Sequence, residues 1–487
     1  MRVAGLWYSY ADSRSRPNGM EQPPQQARLK RELKLPDLVL MQVLVVLGIG
    51  WIGYAAKQGS THVILWIAAI LGFYAPLAAV VIFLSRAIPI EGGMYQWLKE
   101  GFSPFAGYMA GWNYSIFFIL LFANDGAALA NSLAYAFGPS WSWMISSKEL
   151  MVVLNVLVWC LVLWANLKGF HLVKWLSGAG SVLLLAMSGI TVWLLVQKWI
   201  SGSPSVHPPF SLDSPGLSIL SLAVFSKMAI NALSGFEGSS IVAGECWAPE
   251  RNVARSVWIA APLIAVIYIL GTGTVLAYIR PEEIDLVAPT SQILRVGLSS
   301  SHLGLALATT TILASALVAR IQMVAVIGMI SRLPMVAGWD GLLPAWWSEL
   351  HPRYGTPAKA LTAITFASVG IGTASLLGVG EQEAVQVTTG ASAGALCVVY
   401  LLLFGLVTVG MRHHTAKPPW WLRLAGLAGF LSAAVSLVFQ VAPLVEVVNA
   451  WIFALKVSGC LVAANLLGAG LYWRGARKLE LAANPAR

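Results

Sequence analysis

Long apolar runs separated by short polar segments fill the chain from about residue 36 to residue 473. Most runs are close to 20 residues long, the length that a helix needs to cross a hydrocarbon layer of roughly 30 Å. They are far too long for strands of a membrane barrel. In lipid only helices or closed barrels satisfy every backbone group. The pattern therefore predicts an all-α polytopic membrane protein of about twelve transmembrane helices. These fall near 36–58, 62–85, 105–137, 149–167, 171–197, 217–245, 256–279, 302–330, 358–378, 385–411, 419–441 and 446–473, with Gly or Pro at several edges.

Composition strengthens this reading. Of 487 residues, 57% are hydrophobic and 11% charged, against about a quarter charged in soluble domains. The formal net charge of +10 speaks of topology here, not of nucleic acid. With the N-terminus placed in the cytoplasm, 23 Lys and Arg residues fall on the inner side, 5 on the outer side and 3 within spans. That asymmetry predicts cytoplasmic N- and C-termini. Residues 1–34 have no apolar core of a signal peptide and are expected to be a disordered cytoplasmic tail, with a second tail at 476–487. The four cysteines, Cys160, Cys246, Cys397 and Cys460, lie in or at the ends of spans without zinc-type spacing. No GxxxxGK[ST] stretch appears, which argues against an ATPase within this chain. Nor does the sequence show a nucleophile–base pair or a metal-ligand constellation, so neither enzyme chemistry nor a cofactor is expected.

Two spans carry unusual residues. The first contains "LGIGWIG", with Gly48, Gly50 and Gly53 close together, and the sixth contains "SGFEG", Ser234 to Gly238. Glycines in membrane helices often serve close packing. Two such clusters five spans apart instead match transporters built from inverted repeats, whose helices are interrupted at corresponding positions. The expected organisation is a first repeat of five helices over 35–201, a second over 202–416, and two further helices over 417–475. An interrupted helix exposes N–H groups suited to a carboxylate and carbonyls suited to an ammonium.

Longer motifs sharpen the picture. "GFEGSSIVAGECWAPERNVARS" (235–256), "SRLPMVAGWDGLLPAWWSELHPRYGTP" (331–357), "PIEGGMYQWLKEGFSPFAGYMAGWNY" (89–114) and "NLKG" (166–169) resemble the amino acid–polyamine–organocation superfamily of permeases, in its bacterial form. The resemblance implies the five-plus-five inverted repeat, with helices one and six broken and helices three and eight as further walls of the site. It implies that Gly48, Ile49, Gly50, Trp51 and Gly53 of the first break, with Ser234, Gly235, Phe236 and Glu237 of the second, hold an amino acid or related amine, Phe236 closing over it. Ile49 and Trp51 stand where the family's first break is usually smaller, and Ala254 where it often has proline. Some members carry a lysine in helix five in place of a sodium ion; span five here has none between Lys174 and Lys198. Others are linked to a heavy chain through a cysteine between helices three and four; residues 138–148 contain none, so no disulfide-linked heavy chain is expected.

Five ionisable residues fall at membrane depth: Asp125, Lys227, Glu237, Arg320 and Lys456. Such residues are costly in lipid and are functional candidates by default. Glu237 is expected either to exchange a proton or to accept N–H bonds from the unwound turn. Asp125 is read as a titrating group, an ammonium partner or a carboxylate wetted from outside. Lys227 is expected to snorkel outward. Arg320 is read either as a fixed positive charge beside the first break or as the partner of a buried acid. Lys456 has no evident role. The expected function is secondary transport by alternating access. The expected partners are the substrate and the bilayer, with protons as candidate coupling ions. The competing reading is a non-transporting amino-acid sensor or assembly subunit on the same fold.

Overall fold

The computed structural model describes residues 33–88, 92–241, 246–298, 302–377, 380–411, 416–444, 447 and 449–483. The expected tail at 1–34 lies outside these residues except for Leu33 and Lys34, as do the last four residues of the chain. Among the described residues the structure is helical. The sole extended pairing is an isolated bridge between Leu33 and Cys246.

The helices, in order, are α1 (Leu35–Val46), α2 (Trp51–Ala56), α3 (Gly59–Ala87), α4 (Met94–Gly101), α5 (Pro104–Leu121), α6 (Asp125–Phe137), α7 (Lys148–Leu167), α8 (Phe170–Ile200), α9 (Ile219–Lys227), α10 (Pro249–Tyr278), α11 (Pro289–Leu298), α12 (His302–Ile330), α13 (Arg332–Trp339), α14 (Ala358–Ser375), α15 (Glu381–Thr408), α16 (Trp420–Phe439) and α17 (Ala450–Ala483). Serine caps start several of them: Ser103, Ser147 and Ser218 each accept a hydrogen bond from the backbone three residues on, satisfying an amide that the helix itself cannot.

Ten helical stretches among the described residues are long and apolar enough to cross a membrane, counting α5–α6 as one. The protein is an all-α, multi-pass membrane protein. Two of the twelve expected spans are not among the ten. The first is divided into α1 and α2, and the ninth is α14, an 18-residue helix diluted by Lys359, threonines, serines and glycines.

Burial separates a core from a periphery. In the most apolar stretch of α15, 83% of residues are buried, against 28% in α16 and 17% in α17. The last two helices therefore present most of their apolar surface outward. α15 packs against α5 and α16, α12 against α6 and α8, and α10 against α1 and α8. The two interrupted spans lie inside this ring.

The span containing α5 and α6 is itself interrupted, which the unbroken apolar run does not predict. Helical bonding lapses at Phe122–Asn124 and resumes at Asp125. The Asn124 side chain there donates to Thr388 Oγ1 (3.0 Å) and accepts from Ser375 Oγ (2.8 Å).

Candidate substrate site

The first break is short. α1 ends at Val46, and the Gly48 N–H donates to the Val46 carbonyl (2.9 Å). Helical bonding restarts when Trp51 and Ile52 donate to Gly48 and Ile49 (2.9 and 3.3 Å). Between these points the N–H groups of Ile49 and Gly50 find no acceptor among the described residues. The three glycines differ in what surrounds them. A Cβ on Gly48 would lie 2.8 Å from the Trp51 ring, and one on Gly53 would lie 2.4 Å from Pro289. A Cβ on Gly50 would meet nothing within 4 Å. Gly48 and Gly53 thus permit close packing, whereas Gly50 borders open space.

The second break is longer. α9 widens into a π turn at Met228–Ala232. Gly235 then takes a left-handed conformation (φ +106°), which strongly favours glycine. A tight 3₁₀ turn continues the segment at Phe236–Ser240. Glu237 closes this loop on itself: Oε2 accepts the Gly235 N–H (2.9 Å) and Oε1 accepts the Tyr400 hydroxyl of α15 (2.7 Å). A wholly buried carboxylate is tolerated because both oxygens are satisfied. Phe236, also buried, packs edge-on against Tyr74 at 5.0 Å between ring centres.

The breaks meet. A Cβ on Gly235 would lie 2.9 Å from Val45, and one phenol joins the two segments. The Tyr268 hydroxyl of α10 accepts from Gly48 N–H (3.1 Å) and lies within donating distance of the Val46 carbonyl (2.7 Å) and the Ala232 carbonyl (3.0 Å). From α12, the Gln322 amide donates to the Val45 carbonyl (3.1 Å). Beside the second break, Asn231 is 6% exposed and neither its Oδ1 nor its Nδ2 has a hydrogen-bond partner among the described residues. Buried polar atoms are nearly always paired, so this amide, with the free Ile49 and Gly50 N–H groups, is spare hydrogen-bonding capacity at the breaks. Tyr268→Phe is expected to lower stability by about 1–3 kcal/mol, because it strips buried backbone groups of their partner. A thermal melt of the purified protein in detergent checks this.

The other membrane-depth charges lie elsewhere. Arg320 does not stand free beside the first break. Its guanidinium reaches Asp125 Oδ2 at 2.7 Å and also donates to the Asp125 and Ala316 carbonyls (2.9 and 3.0 Å). It pairs with the buried acid at the start of α6, whereas Gln322 of α12 reaches the last turn of α1 beside the first break, at Val45. Lys227 does not snorkel. It is 1% exposed and donates to Gln440 Oε1 (2.6 Å), while Gln440 Nε2 donates to the Ser226 carbonyl (3.2 Å). The reason is placement: α9 packs inward against α16, so its polar group finds an amide before water. Lys456 is paired with Glu383 at 2.6 Å. Sequence reasoning passes over Asn231, Tyr268, Gln322 and Tyr400. Asn231 alone carries a signal, as a polar residue in an apolar run next to the glycines.

Known proteins share this sequence pattern. The amino acid permease family profile matches residues 33–458. An uncharacterized transporter of Legionella pneumophila is 24% identical over 394 residues, covering 80% of this chain and 83% of the relative. The low-affinity putrescine importer PlaP of Escherichia coli is 25% identical over 305 residues, 58% of this chain and 62% of the relative. The protein named probable agmatine/putrescine antiporter AguD of Lactococcus lactis is 26% identical over 246 residues, 49% and 50% of the two chains. These relatives are named as transporters, not enzymes, and the profile spans most of this sequence: the chain belongs to the amino acid permease family of the amino acid–polyamine–organocation superfamily.

Proposed function

We propose that this protein is a secondary transporter of amino acids or related amines. It binds its substrate between the two helix breaks and moves it by alternating access within a five-plus-five inverted repeat. One observation carries the reading. Two interrupted helices meet inside the bundle, joined by the Tyr268 hydroxyl, where Gly50 borders open space and the N–H groups of Ile49 and Gly50 and the Asn231 amide have no partner among the described residues. The free N–H groups suit a carboxylate, and the carbonyls and amide oxygen suit an ammonium. The putrescine and agmatine of the named relatives extend the candidates to diamines. The proposed setting is a bacterial inner membrane with both termini in the cytoplasm.

Uptake of labelled amino acids and diamines into proteoliposomes is the test. Saturable flux of at least one of them is expected. Binding with no flux, under proton and sodium gradients and with counter-substrate loaded inside, would favour a sensor instead.

Coupling is assigned to Glu237, which sits within the second break and joins it to α15 through Tyr400. Glu237→Gln keeps the shape and loses the exchangeable proton. Uptake by this variant is expected to lose the pH dependence of the parent, and an unchanged pH profile would remove Glu237 from the coupling step.

A further inference from the structure

The last helix runs past its membrane-spanning stretch. Ala450 to Tyr472 is a mainly apolar segment of 23 residues, ~34 Å at 1.5 Å per residue, enough to fill a hydrocarbon layer. The next segment, "WRGARKLELAA", stays helical to Ala483 and is two-faced. At 100° per residue, Tyr472, Gly475, Ala476 and Leu479 share one side. That side is packed: Tyr472 meets Phe105 and Tyr108 at 5.1 and 5.4 Å between ring centres. A Cβ on Gly475 would lie 2.1 Å from the Leu342 carbonyl, and Leu479 lies against Gly341. The opposite side holds Trp473, Arg474, Arg477, Lys478 and Leu481 along a groove of ≈ 340 Å³. All five are exposed. Glu480 lies at the margin between the two sides. Among the described residues none of the three cations has an acidic partner.

We infer that this stripe is a binding site for the headgroup of an anionic phospholipid. Three features select that occupant. The depth is right: the cations begin two residues after the apolar stretch ends, at headgroup level. The charge is right: three cations spaced within one turn and a half line one groove without acidic partners, and each basic residue at a membrane surface contributes about 1 kcal/mol of attraction to anionic lipid. The rim is right: the Trp473 ring and Leu481 border the cations, and tryptophan favours the interface between headgroups and chains. A lipid held here would also brace the far side of the helix on the Gly341–Leu342 turn. The preceding residue of that turn, Asp340, is bound by Lys99 Nζ (2.7 Å) and the Tyr95 hydroxyl (2.7 Å) of α4.

Native mass spectrometry of the full-length, delipidated protein, titrated with phosphatidylglycerol or phosphatidylcholine, tests this without relying on transport. The parent is expected to retain phosphatidylglycerol at concentrations where phosphatidylcholine is lost. The variant R474Q/R477Q/K478Q is expected to bind phosphatidylglycerol roughly 100-fold more weakly, from three charges at about 1 kcal/mol each. R251Q/R255Q, neutralising exposed cations at the start of α10, is expected to match the parent and serves as the control for non-specific charge. Equal retention of the two lipids by the parent would overturn the inference. So would equal losses in the two variants, or an unaltered triple variant, which would point instead to an acidic protein partner at this stripe.

Discussion

Gly50→Leu is expected to leave the protein folded and inserted while lowering substrate affinity by roughly 100-fold or more, about 2.7 kcal/mol. Three glycines in one short segment have different surroundings, and that contrast sets the expectation. A side chain at Gly53 runs into Pro289, and one at Gly48 into the Trp51 ring, so those variants report on packing. A side chain at Gly50 enters space bounded by unpaired N–H groups, where the proposed substrate would lie. Gly53→Leu is therefore expected to melt at a markedly lower temperature and Gly50→Leu to melt like the parent. Binding by isothermal calorimetry and melting by intrinsic fluorescence, measured on both variants, separate the two effects. A Gly50→Leu protein with parental affinity would place the substrate elsewhere.

Arg320→Ala is expected to cost about 3–5 kcal/mol of stability, since it strands Asp125 as an unpaired buried charge. Both members of the pair are 9% exposed in their side chains, and the guanidinium also satisfies two carbonyls. Replacing both charges in Arg320→Gln/Asp125→Asn removes the stranded charge, so the double variant is expected to be more stable than Arg320→Ala alone. With the single variants Arg320→Gln and Asp125→Asn, the double variant closes a double-mutant cycle that reads this coupling. If Arg320 instead acted as a free cation beside the first break, Arg320→Ala would melt normally and its uptake would acquire a sodium requirement. The ion pair also ties α12 to the interruption between α5 and α6, so the expected effect is structural first and functional through it.

Much of this arrangement is legible in the residues. The apolar runs locate the helices, and the glycine clusters locate the first and sixth spans' breaks: Gly235 because its left-handed backbone favours glycine, Gly48 and Gly53 because neighbours leave no room for a side chain. The interruption at Phe122–Asn124 is not legible. It lies in "LLFANDGAAL", where a polar pair, Asn124 and Asp125, is flanked by apolar residues on both sides and the stabilising partners, Thr388 and Ser375, come from 264 and 251 positions away. A similar distance hides the Tyr268 hydroxyl, one tyrosine in an apolar span with nothing local to mark it. Glu237 and Tyr400 are separated by 163 positions. Depth alone suggests that Lys227 snorkels to water, whereas the packing of α9 on α16 supplies Gln440. Local periodicity reports which face of a helix is buried; it does not report which polar group waits on the opposing helix. Side-chain pairing is decided at that second level, and so are the roles of charges in the membrane.

If the substrate lies between the two breaks, the most direct measurement is the structure of the purified protein with its ligand, chosen as the amino acid or diamine that most raises its melting temperature. Density is predicted beside Gly50, within hydrogen-bonding distance of the Ile49 or Gly50 N–H groups or of the Asn231 amide. A ligand bound at another place, with the space at Gly50 empty, would contradict a substrate site between the breaks.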